Sequence, residues 1–311
     1  MIGIDIGGAN LKVVNEAGTH IHYCPLWEQA PIRDLLKPYE GDQNAAVVMS
    51  GELADCFSSK AKGISFIVSQ VREVFPHAHF YGIDGLFHQD AGPELAAANW
   101  LAMADQMRTL YPHAVLVDMG STTTDIIPLA DFDTMIGQTD LTRLQQGYLV
   151  YCGLLRTNVA TLIQSAQIKG IHTPVSSEYF ATTADAYVAS GLIKEKKYTA
   201  DPADRKGTDR ISCMRRLARV VCADLDEIGE EGALDIARIV VNTQNLMIYE
   251  AVRTISERHQ SLSIITSGIG SAIAARWLHG VDLETTDLGR YADALPAWSV
   301  REIALRTLIK N

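Results

Sequence analysis

Two segments of the chain place an aspartate at the end of an apolar run and follow it with a turn of small residues. Asp5 precedes Ile-Gly-Gly-Ala-Asn in residues 2–14, and Asp118 precedes Met-Gly-Ser-Thr-Thr-Thr in residues 115–127. Backbone N–H groups in a glycine turn can approach an anion closely because no Cβ intervenes, and Ser and Thr hydroxyls add donors. The pattern therefore predicts two phosphate-binding hairpins, whose turn residues are Gly7, Gly8, Ala9 and Asn10 in the first and Gly120, Ser121, Thr122, Thr123 and Thr124 in the second.

The charged residues of these hairpins suit the chemistry of a bound phosphate. A carboxylate would repel phosphate oxygens directly, so we expect Asp5 and Asp118 to hold a hydrated Mg²⁺ ion beside the phosphate. Lys12 follows the first turn and would reach the phosphate as a compact positive charge. One such hairpin is usually an ordinary turn, but the repeat, with a later turn at Gly268 and Gly270 before a helix, predicts a phosphate-binding cleft.

The first hairpin belongs to a region in which strands precede a strand–helix alternation. The predicted elements after the hairpin are a third strand at 19–27, strands at 45–51 and 79–84, and helices at 60–75 and 93–110. Three consecutive strands followed by this alternation indicate a mixed sheet with helices on its faces.

The second hairpin introduces a more helical region. Apolar residues recur at helical spacing over 140–166, 178–191, 211–228 and 233–258. The polar segment 194–210 is predicted to be a loop, and a loop of this length in a compact domain is usually functional or mobile. A strand, glycine turn and helix follow at 263–278, and the chain closes with a helix near 297–310.

Composition narrows the classes of protein to be considered. The 311 residues are 47% hydrophobic and 21% charged, which is typical of soluble globular proteins. No apolar run is long enough for a membrane helix and no secretory signal is present, so a cytoplasmic location is expected. The net charge of −10 argues against nucleic acid as a partner. The five cysteines lack a C-x-x-C motif and are expected to be reduced thiols.

The succession of two phosphate hairpins and a glycine turn before a helix resembles the actin, sugar-kinase and heat-shock-chaperone superfamily. The resemblance implies an α/β fold in which two ribonuclease-H-like lobes, with mixed β-sheets flanked by helices, enclose a central phosphate-binding cleft. The division that it implies is a first lobe at 1–112, a second, more helical lobe with substrate insertions at 113–296, and a C-terminal helix at 297–311 that returns to the first lobe.

A narrower family shares a larger set of motifs. The chain resembles it in "DIGGANLK" (5–12), "MSGELADCF" (49–57), "YGIDG" (81–85), "AAANW" (96–100), "VDMGSTTTDIIPL" (117–129), "TDLTRLQQGYLVYCGLLRT" (139–157) and "RRLARVVCADL" (215–225). This is the hydantoinase/oxoprolinase-like family, also labelled as a tetrahydromethanopterin-linked one-carbon pathway protein, that includes the methanofuran-biosynthesis synthase.

The resemblance implies a reaction. Members of this family in methanogens join an aminomethylfuran-methyl diphosphate to the phenol of γ-glutamyltyramine, giving an aryl ether and pyrophosphate. Mg²⁺ is the expected cofactor and ATP is not required. The implied partners are the phosphorylated furan and a phenolic acceptor, with no nucleic acid and no membrane. Whether the acceptor is a tyramine or a tyrosine compound, and whether the chain forms a homodimer, stays open.

This chemistry assigns provisional roles to further residues. A furanylmethyl diphosphate can lose pyrophosphate to give a ring-stabilised cation. The amide and hydroxyl donors of the turns, Lys12 and the Mg²⁺ held by Asp5 would then stabilise the departing charge. The free phenol has a pKa of about 10 and needs a base. Asp125, Glu52 and Asp84 are the candidates, in no order, although Glu52 also suits a helix cap. The expected substrate-binding residues are Asn99, Arg156, Thr157, Asp204, Arg205, Lys206, Gly268 and Gly270.

The loop near residue 204 departs from the family, because it lacks an Asp-Gly-Arg-Gly stretch and contains Pro202. Arg156 has an internal ion pair as its alternative role, since a buried arginine needs an anionic partner. Two other functions also fit the cleft: an ATP-dependent small-molecule kinase and a non-catalytic actin-like nucleotide-binding protein.

Overall fold

The first hairpin opens a mixed sheet that occupies the N-terminal part of the chain. A computed structural model describes residues 1–28, 31–41, 44–281 and 283–309. The strands of the first sheet are β1 (Ile2–Ile6), β2 (Asn10–Asn15), β3 (Gly18–Tyr23), β4 (Ala45–Met49), β5 (His79–Tyr81) and β6 (Phe87–His88). Their order is β3-β2-β1-β4-β5-β6, with β4 parallel to β1 and β2 antiparallel to it.

A second sheet repeats this order. Its strands are β7 (Ala114–Met119), β8 (Thr124–Pro128), β9 (Leu149–Val150), β12 (Ser263–Ser267) and β13 (Glu284–Asp287), and a separate hairpin joins β10 (Ser165–Ile168) to β11 (Ile171–Pro174). From one edge the order is β9-β8-β7-β12-β13, so β7 holds the place that β1 holds in the first sheet. The two hairpins are thus equivalent parts of two similar lobes.

The central strands are apolar because both faces of each sheet are covered. Every residue of β1 and β4 is buried, and the sequence of β4, Ala-Ala-Val-Val-Met, has no alternation of polar and apolar residues. Such runs are typical of parallel strands with helices on both faces.

Helices cover the sheets and fill the second lobe. They are α1 (Ile32–Leu36), α2 (Lys60–Arg72), α3 (Asn99–Met107), α4 (Phe132–Met135), α5 (Asp140–Gln146), α6 (Val159–Leu162), α7 (Thr183–Ala189), α8 (Arg210–Arg219), α9 (Leu225–Arg258), α10 (Ser271–Leu278) and α11 (Leu295–Thr307). Side-chain caps begin several of them: Ser59 accepts from the N–H of Lys62 at the start of α2, and Asp209 accepts from that of Ser212 in α8. Gly229, with φ of 71°, interrupts α9.

The last helix packs on the first sheet. α11 contacts β1, β2 and β4 as well as α3. A Cβ on Gly3 would lie 2.0 Å from the carbonyl oxygen of Ala297, so the close approach of α11 to β1 requires glycine there. The structure therefore places this helix against the first lobe, while the division of the chain at 112 and 296 stays a prediction.

The predicted helix over 140–166 is wrong in its middle. α5 ends at Gly147, which has a left-handed φ of 82°, and β9 then pairs with β8. The apolar run Tyr-Leu-Val-Tyr fits a buried strand as well as a helix, and glycine after it favours the strand. The helix predicted over 178–191 is shorter in the structure, where it corresponds to α7 (Thr183–Ala189). No helix among the described residues is long and apolar enough to cross a membrane.

Candidate active site

The two hairpin turns are held by equivalent ladders. Asp5 lies opposite Lys12 in the β1–β2 pair, and Asp118 lies opposite Asp125 in the β7–β8 pair. Each turn is closed by a hydrogen bond: the N–H of Gly7 donates to the carbonyl of Asn10 at 3.0 Å, and that of Gly120 donates to Thr123 at 2.9 Å.

The remaining N–H groups of the turns are available to an anion. Within the described ranges, no hydrogen bond uses the backbone N–H of Gly8, Ala9, Ser121 or Thr122. The carbonyls are occupied instead, since Gly8 accepts from Leu26 and Ser121 accepts from Arg156, both at 3.0 Å. This leaves donors without acceptors in both turns, which is the arrangement that binds phosphate oxygens.

A charged group lies behind the turns. The Lys12 ammonium is 3.1 Å from Asp5 Oδ2, and only 2% of the Asp5 side chain is exposed. Burial opposes the charge of Lys12, but Asp5 and Asp118 outweigh it and the pKa of Lys12 is raised. Burial and the charge of Asp125 raise the pKa of Asp118 to about 6, against a hydrogen bond from Ser267 and the charge of Lys12. Asp5 and Asp118 thus lie within electrostatic range of one lysine and of each other.

The carboxylates can be tested against the metal that the sequence predicts. Asp5 Oδ1 is buried and has no hydrogen-bond partner among the residues that the structure describes, so this oxygen is available as a metal ligand. Among the described residues there is no group of three or more His, Cys, Asp or Glu side chains that would hold a metal by itself. One or two carboxylates completed by waters and phosphate oxygens is the usual donor set of Mg²⁺, so Asp5 and Asp118 fit that ion.

A cavity of about 660 Å³ opens in front of the turns, between the lobes. Its walls from the first lobe are Ala9, Asn10, Tyr23, Trp27 and Glu28, and those from the second are Ser121, Leu155, Arg156, Tyr179, Thr199, Ala200, Asp201, Pro202, Ala203, Arg205 and Lys206. The Arg156 guanidinium stacks on the Trp27 ring at 4.4 Å from its centroid, which joins the lobes across the cavity.

A family model described as hydantoinase/oxoprolinase matches residues 43–302. The chain belongs to the hydantoinase/oxoprolinase family. A (4-{4-[2-(γ-L-glutamylamino)ethyl]phenoxymethyl}furan-2-yl)methanamine synthase of Methanocaldococcus jannaschii is 38% identical over 286 residues, which cover 88% of this chain and 87% of that protein. A protein of the same name from Methanococcus vannielii is 38% identical over 161 residues, which cover 52% of this chain and 72% of the relative. These relatives confirm the family to which the sequence motifs pointed.

The fold of this hydantoinase/oxoprolinase family member also occurs in solved structures. Component A of (R)-2-hydroxyglutaryl-CoA dehydratase from Acidaminococcus fermentans matches it with a TM-score of 0.51 and 10% identity, covering 100% of this chain and 99% of that one. At this identity the likeness shows the fold alone. It agrees with the repeated sheets in confirming the two-lobed α/β architecture.

The three carboxylates predicted as bases lie away from the cavity walls. Asp125 forms an ion pair with Arg143, which is 2% exposed and stacks on the Trp100 ring at 4.2 Å. Burial raises the pKa of Glu52, and within the described part of the chain its Oε2 has no hydrogen-bond partner. Asp84 accepts from the His88 ring at 2.9 Å, if that nitrogen carries the proton.

Several predicted phosphate- and substrate-binding residues have structural partners in this hydantoinase/oxoprolinase chain. The Thr124 hydroxyl donates to the Cys152 carbonyl at 2.7 Å, and Thr157 Oγ1 accepts from the N–H of Gly153 at 2.9 Å. Gly268 and Gly270 pack against Met119, because a Cβ on Gly268 would lie 2.4 Å from its carbonyl oxygen. Asn99 begins α3 and, like these four, does not line the cavity.

Asp204 anchors its loop. Its oxygens accept from Arg216 at 2.9 Å and Arg219 at 3.0 Å, and Arg216 is fully buried against Asp185. Although burial opposes it, the N–H of Lys206 and the two arginines lower the pKa of Asp204.

Of the predicted residues, the cavity brings together Ala9, Asn10, Ser121, Arg156, Arg205 and Lys206. Sequence reasoning missed Tyr23, Trp27, Glu28, Tyr179 and Asp201. The stretch Tyr-Cys-Pro-Leu-Trp-Glu, which begins at the last residue of the third strand and contains two aromatic residues, was the available signal for the first three.

Proposed function

We propose that this protein is a transferase that forms an aryl ether between a furan-2-ylmethyl diphosphate and the phenol of a tyramine- or tyrosine-type acceptor, releasing pyrophosphate in methanofuran or methylofuran biosynthesis. The observation that carries the proposal is the juxtaposition of two donor-rich turns with an aromatic and cationic cavity. The relatives' names support the substrate class, because they contain a phenoxymethyl-furan with a γ-glutamyl tail.

The diphosphate would bind at the turns. The free N–H groups of Gly8 and Ala9 and of Ser121 and Thr122 would contact its oxygens, and Lys12 would neutralise charge that develops as the C–O bond breaks. Mg²⁺, when bound between Asp5 and Asp118, would stabilise the pyrophosphate leaving group. No ATP is needed for this reaction.

The acceptor would bind in the cavity beyond the turns. Trp27 and Tyr179 offer aromatic surface to a phenol ring. Arg205 and Lys206 also line this space, and in the described part of the chain neither forms an ion pair. Two cations without carboxylate partners suit the acidic tail of a glutamylated acceptor. Among the described residues, none forms a hydrogen bond or ion pair with the Arg156 guanidinium, so its edge is available to an anion while its face stacks on Trp27.

The deciding experiment is incubation of the protein with the furan diphosphate, Mg²⁺ and γ-glutamyltyramine in the absence of ATP. We expect ether and pyrophosphate in equal amounts. Formation of ADP and a phosphorylated acceptor when ATP is added would instead select the small-molecule kinase. A sedimentable polymer without either product would select the actin-like nucleotide-binding protein.

A double substitution tests the acceptor half separately. Arg205→Ala with Lys206→Ala should raise the KM for the glutamylated acceptor by about tenfold or more, since charge-assisted hydrogen bonds contribute about 1.5–3 kcal/mol each. The KM for tyramine, which lacks the acidic tail, serves as the matched control and should change little. An equal rise in the KM of the furan diphosphate would assign these cations to the diphosphate.

A further inference from the structure

One hydrogen bond crosses the cavity from lobe to lobe. The Tyr23 hydroxyl donates to Asp201 Oδ2 at 3.1 Å. Tyr23 ends β3 in the first lobe, Asp201 lies in the loop before α8 in the second, and both line the cavity. Tyr23 is 49% exposed, so its phenol can be displaced without opening a core.

The Tyr23–Asp201 pair shows that a phenol in the cavity can hydrogen-bond to the Asp201 carboxylate. The side chain of tyrosine carries the same group as the nucleophile of the proposed acceptor, and here it finds a carboxylate as its hydrogen-bond acceptor. Burial, followed by the hydrogen bond to Asp201, raises the pKa of Tyr23. A phenol in this environment therefore keeps its proton at neutral pH, and an acceptor bound there needs a group to take it.

Few carboxylates are placed to accept the proton of a phenol bound in the cavity. Asp125, Glu52 and Asp84 do not line the cavity, and among the described residues its walls contain the carboxylates of Glu28 and Asp201 alone. The loop that carries Asp201 is fixed three residues later, where Asp204 binds Arg216. The loop that carries Asp201 is thus anchored by an ion pair whose two residues are not among those that line the cavity.

We propose that Asp201 is the general base that accepts the phenolic proton of the acceptor, and that Tyr23 occupies its place until the acceptor binds. The assignment rests on the proposed ether-forming function. The phenolic oxygen forms a bond to the furanylmethyl carbon, and the bond from that carbon to the diphosphate oxygen breaks. Its electron pair leaves with pyrophosphate, while the proton moves to Asp201 and then to water.

The basicity of a carboxylate is sufficient for this step. A free phenol is a much weaker acid than a carboxylic acid, so full transfer before attack is unfavourable. As the new C–O bond forms, the phenolic oxygen gains positive charge and becomes strongly acidic. The proton then moves to the carboxylate with a favourable driving force, late in bond formation.

The test compares Asp201→Asn with Glu28→Gln, the other cavity carboxylate, and with Tyr23→Phe. Each variant is assayed for ether and pyrophosphate with two acceptors, an ordinary tyramine-type phenol and its ring-fluorinated, more acidic analogue. Asp201→Asn should lower kcat by about 10²–10⁴ with the ordinary phenol. The loss should be at least several-fold smaller with the fluorinated phenol, which releases its proton more readily. Glu28→Gln and Tyr23→Phe should each lower kcat at least tenfold less than Asp201→Asn does with the ordinary phenol, and their effect should be the same with both acceptors.

Other outcomes overturn the assignment. An equal loss with both acceptors, or the same loss for Tyr23→Phe as for Asp201→Asn, would show that the pair only links the lobes. Melting temperatures measured in parallel identify a variant that has lost its fold, and activity is then compared per folded molecule. A wild-type protein that releases no pyrophosphate from the furan diphosphate would refute the proposed function itself, which is a distinct result.

Discussion

Asp118→Asn should stabilise the metal-free protein above neutral pH. Burial and the nearby charge of Asp125 raise the pKa of Asp118 to about 6. The unfolded chain has an ordinary aspartate pKa of about 3.9, and each unit of difference corresponds to about 1.4 kcal/mol. The ionised carboxylate therefore costs the folded state up to about 3 kcal/mol, and the coupling to Asp5 and Lys12 makes 1–3 kcal/mol the expected range.

The sign follows from proton binding. Between about pH 4 and pH 6 the folded protein keeps a proton that the unfolded chain has released, so this group's contribution to stability falls as pH rises through that window. Above pH 6 the cost is constant. The gain from Asp118→Asn should therefore be largest at pH 8 and should approach zero near pH 4, where both side chains are neutral.

Urea unfolding in EDTA at pH 4.5 and pH 8 measures this difference. Ser267→Ala is the matched control of opposite sign, because the Ser267 hydroxyl donates to Asp118 and lowers its pKa. Its destabilisation should be larger at pH 8 than at pH 4.5. Millimolar Mg²⁺ should stabilise the wild type and not Asp118→Asn, because a bound cation favours the ionised carboxylate. An Asp118→Asn gain that is the same at both pH values, or a loss at pH 8, would refute the electrostatic reasoning.

Three further substitutions test the cleft and the helix that closes the chain. Lys12→Ala should lower kcat by about 10²–10³-fold and raise the KM of the diphosphate by less, and Lys12→Arg should restore part of the activity. The melting temperature is measured beside kcat, and full turnover in a destabilised variant would mean that Lys12 serves only to pair with Asp5. Gly3→Ala should cost about 1–3 kcal/mol in urea unfolding because its Cβ would meet Ala297. Deletion of 297–311 should lower the melting temperature, and unchanged melting would contradict the packing of α11 on β1.

The parts of the site that lie close together in sequence were predictable. The hairpins combine apolar runs with glycine-rich turns, and both features are local, so the place of Asp5, Lys12 and the turn residues in two hairpins could be predicted before the fold was known. The equivalence of the two lobes could also be predicted from the sequence, because the second hairpin repeats the residue spacing of the first. The structure shows the result, because the five strands of the second sheet follow the same order as the first five strands of the six-stranded sheet.

The partners of charged side chains were not predictable, because they come from distant elements. Asp125 was a candidate base until α5 brought Arg143 against it. Asp204 was a candidate substrate ligand, yet α8 supplies Arg216 and Arg219 to its two oxygens. In both cases a carboxylate outside the helices, whose partner the sequence did not reveal, is paired with arginine from a helix that follows it in the chain.

The same separation explains why the cavity walls were missed. Tyr23 and Asp201 are 178 residues apart, and neither belongs to a motif with a recognisable spacing. Helical periodicity failed over 140–166 for a related reason, since a short apolar run does not distinguish a buried strand from a helix. The apolar run forms a strand because β9 pairs with β8 in the folded protein.

The position of the nucleophile relative to the turns separates alkyl transfer from phosphoryl transfer in a cleft of this kind. The turns, Lys12 and a divalent cation stabilise charge on phosphate oxygens in either reaction, so they do not distinguish the two. A kinase must present its acceptor to a phosphorus atom held at the turns, whereas an ether-forming transferase must present it to the carbon attached to the diphosphate, which lies farther out. Tyr23 lies opposite Asn10 of the first turn in the β2–β3 pair, and its hydroxyl donates to Asp201 in the loop before α8. Under the proposed function a phenol bound to Asp201 in place of Tyr23 attacks carbon, so its oxygen must end in an ether, whereas a phosphorylated phenol would identify the kinase.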